Sequence, residues 1–389
     1  MEQESTLISN KSIAIIGGGP AGCACAKFLQ DYGFNEIYIF DSGEFLRTIL
    51  PTGGGRCNFA HAEYEYKELS KNYPRGEKFL YSIFAKFATY ETIHMFENLG
   101  IKSYTQEDGR IFPISNSSND VREKFLKNLK CRFINEKVEN IKQIPNGYKI
   151  TTNQSTYAFD IVVAAIGGHS NFDLIKDLGI SIIPPTPALV GLITEEDFSI
   201  ITGVSIKNAR INNVVGDFIF THNGVSGPLI YTISSINARK ECPYTLNIEL
   251  AKIENLQTEL NTNPHKEIKN LLAKYLPKSL AEYILNQINI NPETKCHAIN
   301  GKMRDNIIYK IENFQITVIK KAKGEEVVTC GGIDLNTINP KTLEIKQYKN
   351  LYCCGEVMDI DGLCGGFNLQ NCWSSAYIVA KSISESHLH

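Results

Sequence analysis

The sequence predicts an α/β protein in layers: one discontinuous domain assembled from both chain ends and carrying a β-meander, with a β-barrel-like domain and a small helical domain inserted between them. Three observations predict it. A strand, glycine turn, helix and second strand open the chain over residues 12–41. A strand leading into Gly355-Glu356 and a long helix close it. Between these ends the apolar spacing switches from period two to helical and back again.

Taken in order, Ser12–Ile16 (S-I-A-I-I) is a short buried strand broken by GGGPAG. Gly22–Tyr32 carries apolar groups at helical spacing (Ala24, Cys25, Phe28, Leu29), with Gly33 placed to cap its end. Glu36–Asp41 is the next strand. Residues 77–130 read as mainly helical, interrupted at Gly100 and at the Asp108-Gly109 turn. Alternation at Arg132–Ile134, Val138–Ile144, Tyr148–Thr152 and Tyr157–Ile166 predicts the meander, with a hairpin turn at Asn146-Gly147. Pro184-Pro185-Thr186-Pro187 is the strongest breaker and marks a domain boundary. Short strands follow over 188–248, helical spacing over 253–289, strand patterning after 313, and a closing helix over 366–385. The expected division is 1–187 with 328–389 for the nucleotide-binding domain, 188–250 with 302–327 for the barrel-like domain, and 251–301 for the helical one.

The bulk properties exclude several classes. Forty Lys and Arg against 42 Asp and Glu give a net charge of −2, with no basic tract to mark a nucleic-acid or membrane surface. The first residues, MEQESTLISNK, lack the basic start and apolar core of an export signal, and the longest apolar run, 161–166, is far below the ~20 residues of a membrane span. Eleven cysteines, an odd number without C-x-x-C or zinc-finger spacing, fit free thiols in a reducing, cytoplasmic setting and no metal site.

Gly17-x-Gly19-x-x-Gly22 lies between a predicted strand and a predicted helix. Gly17 permits the tight turn, Gly19 lets backbone approach a diphosphate, and Gly22 lets helix pack close to strand. The diphosphate then meets the unpaired amide donors and the positive dipole end of the helix that follows. Asp41 ends the second strand about 20 residues beyond the last glycine, where a carboxylate accepts ribose hydroxyls. A nicotinamide-binding domain would continue at once into further strand–helix units. This chain instead passes to Thr52-Gly53-Gly54-Gly55-Arg56-Cys57-Asn58, then helices, a meander ending in Ala165-Ile166-Gly167-Gly168, and finally Cys354-Gly355-Glu356. That layout predicts a discontinuous Rossmann-like domain holding FAD non-covalently, the late Gly-acid pair reaching the ribitol and the last helix pointing its positive end at the flavin. No second G-x-G-x-x-G follows a strand, so no dedicated NAD(P)H domain is expected; that favours oxidation of a bound small substrate with reoxidation by oxygen and leaves NAD(P)H as a transient reductant at the flavin face.

The pieces GGGPAG (17–22), TGGGRCN (52–58), DGRIFP (108–113), HNGVSGP (222–228), TCGGIDLNTINPKTLE (329–344) and GEVMDIDGLCGGFNLQNCWSSAYIVA (355–380) resemble the bacterial aminoacetone oxidase-like FAD enzymes, a family that also includes NAD(P)/FAD-dependent oxidoreductases and a bile-acid reductase. The resemblance implies three domains and assigns Gly17, Gly19, Pro20, Ala21, Gly22 and Asp41 to the adenosine-diphosphate half of FAD. It implies Gly53, Gly54, Arg56, Cys57 and Asn58 near the flavin or its phosphates, with Gly167 beside them. Gly355, Glu356, Gly365, Gly366, Phe367, Asn368 and Leu369 would line the ribitol and ring, and Val138 would offer backbone to adenine. The chain departs from the family after Ser170, where a longer loop is expected, and at Arg47-Thr48, where a basic pair is usual.

The residues that could act on a small-molecule substrate are few. His222 would donate or accept a proton, or else bond a turn backbone; Arg110 would pair a substrate anion, or else hold its own loop. Cys57, lacking a nearby resolving thiol, reads as a packing residue rather than a redox centre, and Asp359 and Asp361 as acceptors for turn amides. Two reactions stay open: hydride abstraction from a small amine or aminoketone, and NAD(P)H-driven reduction of an enone or other acceptor.

Overall fold

The computed structural model describes residues 11–168, 172–322 and 328–387. It falls into two compact units, Met1–Thr186 with Val328–His389, and Pro187–Val327. In the first, a five-stranded sheet runs in the order Leu351–Cys353, Ile161–Ala164, Ile13–Ile16, Ile37–Phe40, Arg132–Ile134, with every neighbouring pair parallel. The central strand IAII is buried throughout, as a parallel strand covered on both faces requires. The glycine turn leads from it into the helix Pro20–Asp31, which packs on the closing helix Phe367–His387, Phe28 meeting Tyr377 edge-on at 5.3–5.4 Å together with Phe87. Thus the first and last elements of the chain share one layer.

The structure corrects five readings. Residues 77–130 are not continuously helical: Ser103–Thr105 and Arg110–Pro113 form a hairpin across Asp108-Gly109, with Ala60–His61 as its third strand, because Gly109 supplies the left-handed backbone (φ +81°) the turn needs. Arg132–Ile134 is not in the meander but on the edge of the parallel sheet. The stretch 157–166 is two strands, Thr156–Phe159 in the meander and Ile161–Ala164 in the parallel sheet. Asp160 marks the break, its carboxylate accepting from Ser12 N (2.9 Å), Ser12 Oγ (2.8 Å) and Lys11 Nζ (2.8 Å). The prolines 184–187 do not break the chain but lie within the strand Ile182–Ala188, in a two-stranded sheet with Val328–Ile333, where donors on its unpaired side are dispensable. Residues 188–248 also hold a helix, Pro228–Ile236, started by the proline that ends HNGVSGP. The segment His169–Asn171, where the shortened loop was expected, lies outside the described residues.

The second unit carries a six-stranded antiparallel sheet in the order Ser205–Ile211, Val214–Thr221, Gly224–Ser226, Leu192–Thr194, Phe314–Lys321, Tyr244–Ile248. Its two edges meet again where Arg210 and Glu249 exchange backbone hydrogen bonds of 2.9 and 2.8 Å, so the sheet curls into a half-barrel. One apolar cluster runs from Phe220 and Phe314 of this sheet, with Phe198 beside them, into Leu272, Ile284 and Leu285 of the helices Ile268–Leu272 and Lys278–Gln287.

In the first unit, an ion pair bridges distant sequence. Asp361 is fully buried and pairs with Arg75, whose Nε lies 2.6 Å from Oδ1 while a terminal nitrogen takes the other oxygen. A guanidinium, which the sequence reading did not foresee, is a partner of this carboxylate. Removing one partner strands a buried charge, which costs about 3–5 kcal/mol. Arg75→Ala is therefore expected to lower the urea unfolding free energy of the chain by that order, with Arg75→Lys recovering only part of it.

Candidate functional site

The site grows from the turn after the first strand. Gly17 adopts φ +109°, and a Cβ there would lie 2.2 Å from Ala165 O; a Cβ on Gly22 would lie 1.9 Å from Gly17 O. Both positions are closed to side chains by backbone. Gly19 differs: a Cβ on it would meet nothing nearer than Thr48 Oγ1 at 3.8 Å, and no side chain caps the helix that Pro20 begins. Uncapped amides beside a partly exposed glycine are what a diphosphate requires, so the residues fit the cofactor predicted for them. Asp41 sits behind the turn, its Oδ2 accepting from Gly18 N at 2.7 Å and its Oδ1 from Gly43 N at 2.8 Å. A carboxylate has about four acceptor positions, so two remain for ribose hydroxyls.

The chain's far end meets this turn. Gly355 (φ +80°) follows the strand Leu351–Cys353; its N–H donates to Ser375 Oγ at 2.9 Å, and a Cβ on it would lie 2.5 Å from Ala21 Cβ. Glu356 accepts from Thr329 N at 2.8 Å, and a Cβ on Gly168 would approach the same carboxylate to 2.9 Å. Gly167 (φ +74°) has no atom within 4 Å of the position its Cβ would take. Asn368 is spent on structure, its amide closing the loop by reciprocal bonds with Gly362 N (2.8 Å) and Gly362 O (2.9 Å). Phe367 is buried, its carbonyl accepting from Tyr73 OH at 2.6 Å, and Leu369 is half-buried one position past Asn368.

Residues 52–58 form a left-handed turn with positive φ at Gly53 (+58°), Gly54 (+68°) and Gly55 (+82°); Gly54 is exposed, with open space where a Cβ would stand. Arg56 folds back, Nε donating to Gly53 O at 3.0 Å, and lays its guanidinium 4.1 Å over Phe112. Arg110 reaches the same ring at 5.7 Å while pairing with Asp108 at 2.7 Å. Two cations thus share one aromatic ring. Asn58 donates to Ala60 O (2.9 Å) and Ile111 O (3.0 Å), fixing the short strand Ala60–His61. Val138 is buried at the start of the meander, paired with Thr152. His222 belongs to the second unit, exposed at the hairpin tip between Val214–Thr221 and Gly224–Ser226.

Sequence reasoning missed His61. Its Nδ1 lies 3.1 Å from Gly365 O, its ring stacks on Phe367 at 4.6 Å, and its strand register pairs it with Arg110. No local spacing marks it, because Gly365 is 304 positions away. Gly366 is equally close-fitting, a Cβ on it falling 2.5 Å from Ala60 O. The fully buried Cys57 thiol is pushed up to about 12 by burial, which Thr52 opposes only partly. It stays a neutral packing group at physiological pH. Among the described residues no group of three His, Cys, Asp or Glu side chains could hold a metal.

The matches to known proteins agree with this geometry. Residues 11–382 match the model for the HI0933-like protein Rossmann domain. The chain is 29% identical to a ribosomal RNA dihydrouridine synthase of Haemophilus influenzae, covering 95% of this chain and 98% of that one. It is 25% identical to the 3-dehydro-bile acid delta(4,6)-reductase of Clostridium scindens over 96% and 99%. Among solved structures, 3-ketosteroid delta1-dehydrogenase from Sterolibacterium denitrificans shares the fold with a TM-score of 0.52 at 11% identity, covering 97% of this chain and 99% of that one.

Two outcomes test the geometry. Gly355→Ala drives a methyl into Ala21 in a left-handed backbone, strain of about 1–3 kcal/mol, and is expected to weaken FAD retention about tenfold or more in a fluorescence titration. In native protein at pH 8, Cys57 should resist iodoacetamide while the exposed Cys364 and Cys242 are alkylated, as read by peptide mass mapping. With the two-ended glycine cradle and a family match spanning nearly its whole length, the chain belongs to the HI0933-like Rossmann family and is an FAD-dependent oxidoreductase.

Proposed function

We propose that the chain saturates a carbon–carbon double bond conjugated to a carbonyl, with NAD(P)H as the electron source. The observation that carries this is a bond shared by its relatives. Dihydrouridine arises by saturating the ring bond of uridine conjugated to a carbonyl, and a delta(4,6)-reductase of a 3-dehydro bile acid acts on the same kind of unit. FAD, when bound, carries the electron pair between donor and acceptor. Gly17, Gly19 and Ala21 would hold its diphosphate, Asp41 its ribose, Val138 its adenine, and Gly355, Glu356, Phe367, Leu369 and the backbone of Asn368 its ribitol and ring. Arg110, with Arg56 against the same Phe112 ring, would pair an anionic substrate group, and His222 is a second-unit candidate for proton exchange.

This reading ranks enone reduction above the amine oxidation that the sequence resemblance favoured, because none of the named curated relatives acts on an amine. It also reopens nucleic acid as a substrate despite the net charge of −2, since two of those relatives are named for ribosomal RNA. The free cysteines suit a reducing, cytoplasmic setting. No described helix is long and apolar enough to cross a membrane.

Anaerobic mixing separates the possibilities. NADPH or NADH is expected to bleach the bound flavin, and a conjugated acceptor (a cyclic enone, a 4,6-dien-3-one steroid or a uridine-containing ribosomal RNA fragment) to restore its absorbance. Bleaching by aminoacetone or another amine, with no acceptor reoxidising the flavin, would replace this reading by the oxidase one.

A further inference from the structure

The imidazole of His61 is held on three sides by residues from two separate segments. Its face lies on Phe367 with ring centroids 4.6 Å apart and planes inclined by 28°. Its Nδ1 lies 3.1 Å from Gly365 O, and since a carbonyl only accepts, that nitrogen carries the proton. This fixes the tautomer and leaves Nε2 as the position that exchanges. There, a Cβ on Gly109 would come within 2.5 Å of Nε2 and 3.0 Å of the adjoining ring carbon. Gly109 therefore serves two purposes: its φ of +81° makes the hairpin turn, and its missing side chain leaves room for the imidazole, whose Nε2 edge lies against the glycine. The ring is half-buried, so it is neither a free surface histidine nor a sealed core one. Around it stand Arg110 as register partner, Asp108 paired to Arg110, Cys364 beside Gly365, and Tyr73 across Phe367.

A histidine so oriented at the mouth of the closing helix has more structure around it than packing alone demands. We infer that His61 is the acid of the reaction, donating from Nε2 to the carbonyl oxygen of the substrate. The inference rests on the enone-reducing reading. In the balanced step, hydride equivalents drawn from NAD(P)H, which leaves as NAD(P)+, form the new C–H bond at the carbon β to the carbonyl. The donor is the imidazolium form of His61, which carries a second proton on Nε2: the π electrons move onto the oxygen, the Nε2–H bond breaks, an O–H bond forms, and the neutral Nδ1–H imidazole is left. The resulting enol tautomerises in water to the saturated carbonyl, and the imidazole regains its proton from solvent. The second tautomer position, Nδ1–H on Gly365 O, never leaves its acceptor.

Two variants separate chemistry from packing. In His61→Asn the amide nitrogen replaces Nδ1 on Gly365 O and nothing replaces Nε2; in His61→Gln the amide nitrogen reaches the Nε2 position but cannot give up a proton. The first readout is binding of 4-hydroxybenzaldehyde, whose phenolate oxygen stands in for the enolate, followed by perturbation of the oxidised flavin spectrum. Wild type is expected to bind it, His61→Asn about tenfold or more weakly with unchanged FAD content, and His61→Gln in between. The second is acceptor-driven flavin reoxidation, expected to slow by ~100-fold or more in both variants while reduction by NAD(P)H is unaffected. Failure of wild type to bind the phenol, or binding and reoxidation within twofold of wild type in His61→Asn, overturns the assignment. Phenolate binding that depends on His61 in a protein no conjugated acceptor reoxidises keeps the acid and removes the enone reading instead.

Discussion

The structure depends on how closely backbone approaches backbone where the two chain ends meet. The first strand can turn into its helix only because Gly17 and Gly22 have no side chain to place against Ala165 O and Gly17 O. The late strand can reach that helix only because Gly355 has none to place against Ala21. Helix packing then locks the approach: Phe28, Phe87 and Tyr377 interlock between the first and last helices, and Ser375 holds the Gly355 amide. The open position at Gly19, with nothing near it but Thr48, is what those contacts leave over. A nucleotide site here is less an added feature than the gap that remains when two strand ends and two helix starts converge.

Around that gap, polar side chains divide into those that build the frame and those still able to reach a ligand. Asn58 and Asn368 look like ligand-binding amides in sequence, yet each is committed to backbone: Asn58 to two carbonyls, Asn368 to both groups of Gly362. Asp41 braces the turn and keeps acceptor capacity. Arg56 and Arg110 both lie against Phe112, which holds two like charges near one ring, with Asp108 pairing Arg110. Such an arrangement lowers its energy when an anion arrives.

Sequence reading reached what local pattern encodes. The opening unit was legible because a buried apolar run, a glycine spacing and helical periodicity occur within 30 consecutive residues, and the closing helix because its apolar spacing is long. The meander's place in the sheet was misread, since nothing in Arg132–Ile134 distinguishes a parallel edge strand from a meander strand. The hairpin carrying Arg110 was hidden in a helical stretch, and Pro184–Pro187 read as a breaker because edge status is a property of neighbours, not of the strand itself. His61 and the Arg75–Asp361 pair escaped for one reason: their partners lie hundreds of positions away, and chemistry assembled by folding leaves no spacing to read.

The discontinuity of the first unit has a bearing on biosynthesis. Chain growth delivers the opening strand and helix at the start, but Leu351–Cys353, Gly355 and the closing helix only at the finish. During translation the parallel sheet lacks its flanking strand Leu351–Cys353, and the apolar side of Pro20–Asp31 lacks its cover, while the whole segment 187–327, with its own core, has already left the ribosome. The half-barrel unit is complete first, and the nucleotide-holding layer last, so a nascent or truncated chain offers exposed apolar surface until its final turn of helix arrives.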